Sequence, residues 1–242
     1  MCGRLITQRR GKGTPRYRSP SHRFTSDAKY PSQAGAFEEL ASGQIIDIVH
    51  DPGRSAPLAK IIFENFDERY MIAHDGARVG RWIQIGANAA ASEGNVLPLG
   101  KITEGTAVYN IEIRPGDGGK LVRSAGTSAS VVSHERELGV THIRLPSRKT
   151  MAVNSNARAT VGRVSASGMQ DKPMAHAGPA WYAHKARGKL YPVVNGNAKN
   201  ACDHPHGGGR NPHGRSPVGR NTPPGRKVGH IAPSRTGRKK RA

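Results

Sequence analysis

The chain has 242 residues, 35% of them hydrophobic, which allows a modest core but not one that fills the whole length. Its formal net charge of +21 requires a polyanionic partner, because that much self-repulsion opposes compaction unless counter-charge is supplied, and nucleic acid is the leading candidate. No run of about 18 apolar residues could cross a bilayer and no apolar leader opens the chain, so a soluble, intracellular (cytoplasmic) protein without membrane contact is expected.

The charge is segregated. Residues 1–36 hold eight Lys or Arg against one acid, Asp27, and residues 172–242 hold fifteen against one, Asp203, whereas residues 37–171 hold fifteen of each. Both ends are also rich in Gly, Pro, Ser and Arg and lack sustained apolar periodicity. Neither can bury enough surface to offset its ordering entropy, so both are expected to order only on their partner.

In chain order, residues 1–36 read as a basic N-terminal extension that offers Arg4, Arg9, Arg10, Lys12, Arg16 and Arg18, with His22 and Arg23, to RNA. "FEELAS" (Phe37 to Ser42) hints at a helical turn, and no helix of useful length is expected elsewhere. "GQIIDIVH" (Gly43 to His50), "PLAKIIFEN" (Pro57 to Asn65), "RYMIAH" (Arg69 to His74) and "RWIQIG" (Arg81 to Gly86) are short, Ile-rich and separated by turn chemistry. They predict a small β-barrel over residues 37–90. "TAVYNIEIRP" (Thr106 to Pro115), "ASVVS" (Ala129 to Ser133), "VTHIRLPS" (Val140 to Ser147) and "ATVGRV" (Ala159 to Val164) predict a second over 91–175. In "VYNIEI", Tyr109, Ile111 and Ile113 alternate with Asn110 and Glu112, the period of a half-buried strand with the two polar residues outward. Residues 176–242 form a basic C-terminal extension, and the last 71 residues could reach on the order of 230 Å if fully extended at ~3.3 Å per residue. In it, Trp181, Lys185 and Arg187 offer stacking and phosphate contacts, and Arg210, Arg226, Lys227 and Arg235 add charge. The fold class is mainly β, with two small barrels between basic extensions.

Two loops inside the neutral region repeat an Arg-Ser-Ala beside tight turns: "DPGRSAPLAK" (Asp51 to Lys60) and "PGDGGKLVRSAGTSAS" (Pro115 to Ser130). A guanidinium and the N–H groups of a glycine-rich turn can approach phosphates without obstruction, which makes Arg54, Ser55, Gly118, Gly119, Lys120, Arg123 and Ser124 candidate RNA contacts. The plainer reading of each loop is a hairpin turn with solvated charge. "GDGGK" is not a P-loop, which needs four residues between its glycines and a hydroxyl after the lysine. Cys2 and Cys202 make no disulfide framework or zinc knuckle and read as free thiols.

Taken together, "QRRGKGTPRYRSPSHR" (Gln8 to Arg23), "HDPGRSAPLA", "EGNVLPLGKITEGT" (Glu93 to Thr106), "PGDGGKLVRSAGTSA", "RLPSRK" (Arg144 to Lys149), "DHPHGGGR" and "PPGRKVGHIAPSRTGR" (Pro223 to Arg238) resemble the universal large-subunit ribosomal protein two family. The first and last resemble its archaeal and eukaryotic branch. The resemblance is collinear over nearly the whole chain. It implies an OB-like barrel followed by an SH3-like barrel, and extensions that enter large-subunit rRNA near the peptidyl-transferase centre. It further implies neighbouring large-subunit ribosomal proteins, an intersubunit bridge to the small subunit, and an indirect contribution to tRNA binding and to assembly. One stretch departs from the pattern: where the family reads close to "PVVRGVAMNPVDHP", this chain reads "PVVNGNAKNACDHP", with Asn195 for an arginine and Lys199 for a methionine.

"CDHPHGGGRNPHGR" (Cys202 to Arg215) sets three histidines, a carboxylate and a thiol around a triple glycine. Zinc would require a second spaced pair of ligands beside His204 and His206. Acid–base chemistry by Asp203 and His204 would require adjacent side chains of an extended segment to face each other. The expected role is shape: Asp203, His204, Pro205, His206, Gly207, Gly208 and Gly209 fit against RNA, and the resemblance puts them near the peptidyl-transferase centre. The expected protein is a structural rRNA-binding component rather than an enzyme, with no metal or cofactor. The alternatives are a free nucleic-acid chaperone or chromatin protein, and a metal-dependent enzyme built on the histidines.

Overall fold

A computed structural model of the chain describes residue 10 and residues 12–32, 40–209 and 217–234. They divide into two compact units. One spans residues 21–175, and the other joins residues up to 20 with those from 176 onward.

The unit over 21–175 is mainly β. It has ten strands: β1 (Ala41–Val49), β2 (Leu58–Phe63), β3 (Glu68–Ile72), β4 (Trp82–Ile85), β5 (Val96–Pro98), β6 (Ala107–Tyr109), β7 (Ala129–Glu135), β8 (Val140–Arg144), β9 (Thr150–Asn154) and β10 (Arg158–Val161). They run in the order β3-β2-β1-β4-β5-β10-β6-β7-β8-β9. All eight segments read as strands from the sequence contain one. The two unread strands have weak local signals: "VLP" is three residues long, and "TMAVN" sits among polar residues. The first lobe is a meander in which Gly43 pairs Phe63 on one side and Ile83 on the other. β5 passes to the second lobe, pairing parallel with β4 at Ile85 and Val96 and antiparallel with β10. β1 and β7 each carry a register shift, at Ile45/Asp47 and Val131/Ser133, which adds the local twist that bends a strand around a barrel. This is the architecture expected of an OB-like lobe followed by an SH3-like lobe. Phe37 to Glu39 of the expected helical turn lie outside the described residues; Leu40 has no regular structure, and Ala41 and Ser42 already belong to β1.

Apolar residues on the inward faces make one core per lobe. Ile45, Ile61, Phe63, Ile83 and Ile85 fill the first; Leu97, Leu99, Val108, Val131, Ile143 and Val161 fill the second. A third cluster of Ala28, Ala56, Leu58, Ile72, Tyr109, Ala125 and Val164 draws on both lobes and forms their seam. The alanines of the two Arg-Ser-Ala repeats meet there, and Ser55 Oγ accepts the Ala125 N–H at 3.0 Å. The repeated tripeptide is thus a packing device of the seam.

Several expectations need correction. β6 ends at Tyr109, because Asn110 takes a left-handed φ of 50°, and the alternation read through "VYNIEI" breaks there. Glu112 is fully buried and Ile113 is 40% exposed, the reverse of the expected faces. The Glu112 carboxylate accepts the Gly118 N–H at 2.9 Å, the Arg158 backbone N–H at 2.9 Å and the Arg158 Nη2–H at 2.8 Å. Such convergence on one buried carboxylate supplies the partners that its burial demands.

The second correction concerns the N-terminal segment, which was expected to order only on RNA. Residues 24–31 instead lie as an extended strap across the seam, with Ala28 and Tyr30 buried. Three arginines, two from loops and one from the start of β10, hold its carbonyls: Arg54 at Ser26 (3.3 Å), Arg123 at Ala28 (2.6 Å) and Arg158 at Pro31 (2.8 Å). The Tyr30 hydroxyl donates to the Asn110 carbonyl at 2.7 Å and lies 2.6 Å from Thr160 Oγ1. Composition could not reveal this, since the strap borrows its stabilising groups from residues far along the chain.

In the other unit, Ala177–Ala186 forms a helix, α1, contrary to the expectation of none. Its alanines favour helix, Pro179 sits in the first turn where its missing N–H costs little, and His184 and Lys185 complement the dipole in the last turn. None of its residues is buried, so it has no apolar stripe for periodicity to detect. No described helix is long and apolar enough to cross a membrane.

Candidate nucleic-acid interface

The candidate contacts fall into three groups. The first surrounds the strap. Asp51 is fully buried and accepts the N–H groups of Thr25 (3.3 Å) and Gly53 (3.1 Å), while its other oxygen takes the Arg54 guanidinium. Arg54 keeps 21% of its side chain exposed. Arg123 also donates to the Gly119 carbonyl at 3.1 Å. Burial first, and then the neighbouring Arg54 charge, lower the pKa of Arg123. Two guanidiniums therefore sit close enough to repel each other, each held by backbone carbonyls two residues apart. Both arginines are partly exposed, an arrangement suited to an anion.

The glycines beside Arg123 serve the packing of their own turn. The Gly118 N–H is engaged by Glu112 and its carbonyl accepts from Tyr30 at 3.1 Å. Gly119, at φ +88°, lies where a Cβ would stand 2.4 Å from Asn110 Oδ1. Both glycines serve the packing of the turn, leaving exposed Lys120, paired with Asp117 at 3.1 Å, and exposed Ser124 as its outward groups.

The second group is in the unit containing α1. Trp181 is 39% exposed, with the Lys185 ammonium 4.6 Å from its ring centre and Tyr182 edge-on at 4.9 Å. Arg187 is exposed, and the His184 ring stacks on Tyr191 at 4.7 Å. Arg10, Lys12, Arg16, Arg18 and Arg226 are exposed and Lys227 is half-buried in this unit; His22 and Arg23 are exposed in the other. Arg4, Arg9, Arg210 and Arg235 lie outside the described residues, as does Cys2. Cys202 is a free, exposed thiol.

The third group is the histidine loop. The backbone N–H groups of Asp203 and His204 both donate to the Asn200 carbonyl, at 3.0 and 3.2 Å, and the Gly207 N–H donates to the His204 carbonyl at 2.8 Å. His204 Nδ1 accepts the His206 N–H at 3.0 Å, and the two rings meet edge-on at 5.0 Å. Partial burial, reinforced by His206 and Lys199, lowers the pKa of His204 and keeps the ring neutral. Asp203 is exposed and has no contact with the His204 ring among these interactions. Gly196 and Gly207 are needed at van der Waals range: a Cβ on Gly196 would meet the His204 ring at 2.4 Å, and one on Gly207 the Asn200 carbonyl at 2.3 Å. Nothing among the described residues comes within 4 Å of where a Cβ on Gly209 would stand. Among the described residues, no three His, Cys, Asp or Glu side chains gather to hold a metal ion; His213 lies outside them.

Sequence reasoning missed the strap anchors Tyr30, Glu112 and Arg158, and also His74. The His74 side chain is 1% exposed with its Nε2 unpartnered among the described residues, packed against the space that a Cβ on Gly94 would fill, and its pKa is lowered to about 4 by burial and the Arg81 charge. A carboxylate inside an Ile-rich stretch was the one available signal for Glu112.

Residues 36–85 match the family described as "Ribosomal Proteins L2, RNA binding N-terminal domain", and residues 92–228 match "Ribosomal Proteins L2, C-terminal domain". The large ribosomal subunit protein uL2 of Methanothermobacter thermautotrophicus is 49% identical over 99% of this chain and 100% of its own length. Those of Methanococcus vannielii, at 50% over 99% of this chain, and of Hyperthermus butylicus, at 51% over 100%, also match along their full lengths. With both lobes matched in order and no large segment unaccounted for, the chain belongs to the ribosomal protein L2 family.

Proposed function

We propose that this chain is a structural constituent of the large ribosomal subunit that binds large-subunit rRNA. The observation that carries this reading is the full-length identity of about half to proteins named as large-subunit components, spanning both lobes and both basic ends. The charge distribution supports it: a near-neutral β unit between segments that hold nearly all the excess charge suits a folded body with RNA-threading extensions. In this reading the division is a basic extension over 1–36, an OB-like barrel over 37–90, an SH3-like barrel over 91–175 and a basic extension over 176–242.

The finer assignments follow from the same reading. The Arg54 and Arg123 loops, the Trp181 helix and the basic ends contact rRNA. The histidine loop around His204 lies near the peptidyl-transferase centre and shapes it without chemistry of its own, so that peptidyl transfer belongs to RNA. The chain works in the cytoplasm within the subunit, beside neighbouring large-subunit proteins. It supports assembly, a bridge to the small subunit and, indirectly, tRNA binding. The test is gradient sedimentation of cell extract with detection of this chain. Co-migration with large subunits is expected; a position at the top of the gradient or with chromatin would refute the proposal and favour a free nucleic-acid-binding protein.

A further inference from the structure

A cavity of about 320 Å³ opens between the strap and the outward face of β3, lined by Ser26, Asp27, Lys29, Glu68, Arg69 and Tyr70. Its size falls at the lower end of small-molecule sites, near what one nucleoside needs. Its chemistry is mixed in a specific way. Asp27 pairs with Lys29 at 3.1 Å, yet 80% of its side chain stays exposed. Glu68 pairs with Lys60 at 2.8 Å and is 50% exposed; Arg69 gives its Nε to Asp67 at 2.8 Å and is 49% exposed. Tyr70 is half-buried, with one side packed on the seam cluster and the remainder lining the cavity.

A phosphate alone is a poor occupant, because two carboxylates face it. A lysine or arginine from another protein is also poor, because Lys29, Lys60 and Arg69 surround those carboxylates. A nucleobase suits both sets: it is neutral, it stacks on an aromatic ring, and its edge can donate to a carboxylate while flanking phosphates reach the cations. Among the four bases, only guanine sets two adjacent donors, N1–H and the exocyclic amine, against the two oxygens of one carboxylate. We propose that this cavity takes one unpaired guanine of the bound RNA, with its ring on Tyr70, its Watson–Crick edge on the Asp27 or Glu68 carboxylate, and its flanking phosphates on Lys29 and Arg69. The hydrogen bond and charge of Lys29 lower the pKa of Asp27, which keeps that acceptor ionised at neutral pH. The inference rests on the RNA-binding reading above and adds base selectivity at a defined place.

The test uses the full chain and labelled heptauridines whose central position is G, A, C or U, measured by anisotropy at about 0.3 M salt, where non-specific attraction to the basic ends is weakened. The central-G strand should bind about tenfold tighter than the other three. Asp27→Asn together with Glu68→Gln should abolish the preference, as should Tyr70→Leu, while Tyr70→Phe should retain it. A central 6-thioguanosine should photo-crosslink to residues 26–29 or 68–70. Equal affinity for all four strands, a preference that survives the carboxylate changes, crosslinks confined to other segments, or displacement of the central-G strand by a lysine-rich peptide at lower concentration would each overturn it. Failure to bind even a long rRNA fragment would overturn the ribosomal reading as well, whereas tight rRNA binding without a guanine preference would overturn this inference alone.

Discussion

Replacing Arg158 by Met tests whether the strap and both lobes share one buried electrostatic anchor. Arg158 and Glu112 are 3% and 0% exposed. The guanidinium gives Nε–H (3.2 Å) and Nη2–H (2.8 Å) to one Glu112 oxygen and Nη1–H (2.8 Å) to the Pro31 carbonyl. It also stands 5.2 Å over the Tyr30 ring. Methionine fills most of the volume but leaves the carboxylate buried with backbone N–H partners only. Breaking a buried pair from one side costs about 3–5 kcal/mol, a large share of the roughly 5–15 kcal/mol of a typical domain. With a urea m-value of about 2 kcal/mol/M, the midpoint should fall by roughly 2 M. The two tryptophans, Trp82 and Trp181, lie one in each unit, so a Trp181→Phe background isolates the fluorescence of the β unit. Adding Glu112→Gln should cost far less than the sum of the single changes, because the stranded charge disappears. Amide exchange over residues 26–31 should rise in Arg158→Met. A midpoint drop below about 0.5 M, or exchange unchanged in the strap, would refute the assignment of the anchor.

His74 gives a pH signature. Its lowered pKa means the folded state prefers the neutral ring, so its contribution is complete above the ordinary value of 6.5 and is lost as pH falls towards about 4. The loss should total about 3 kcal/mol, and it should disappear from the pH profile of His74→Phe, measured by urea midpoints from pH 7.5 to 4. A fragment of residues 21–175 holds eighteen Lys or Arg against sixteen acids, so it should fold but bind rRNA with a much shallower salt dependence than the full chain; equal slopes would show that the basic ends do not carry the affinity. His204→Gln keeps an acceptor for the His206 N–H, so assembled subunits should retain single-turnover peptidyl transfer at each pH. A fall of about 100-fold or more with normal assembly would revive an acid–base role.

The β-lobes were legible because their strands obey local rules. Short Ile-rich runs bounded by Asp-Pro-Gly or Asp-Gly turns form strands wherever one face can be buried, and here both lobes bury theirs. Where local rules failed, a long-range partner had intervened. Glu112 reads as a solvent-facing residue until Arg158, forty-six positions away, brings a guanidinium to it. The turn that Asn110 makes at φ 50° depends on Gly119, whose missing Cβ leaves room for the amide. Helix α1 was hidden for the opposite reason, since it buries nothing and leaves no periodic trace.

The loop arginines show how residues read from sequence as phosphate contacts also serve the fold. Arg54 and Arg123 stood out as cations beside glycine turns, free to meet phosphate. Each already spends donors on the strap and on its own loop, Arg54 on buried Asp51 and Ser26, Arg123 on Ala28 and Gly119. Their position is therefore fixed before any RNA arrives, and the like charges are held together by the fold rather than by the ligand. Pre-paired cations lower the ordering cost of binding an anion, because the rotamers are already restricted. The same geometry couples two properties that sequence treats as separate: removing either guanidinium releases a strap carbonyl and weakens the seam at the point where phosphate would bind. Stability and RNA affinity should fall together at these two positions, whereas at solvated cations such as Arg16 or Arg187 only affinity should fall.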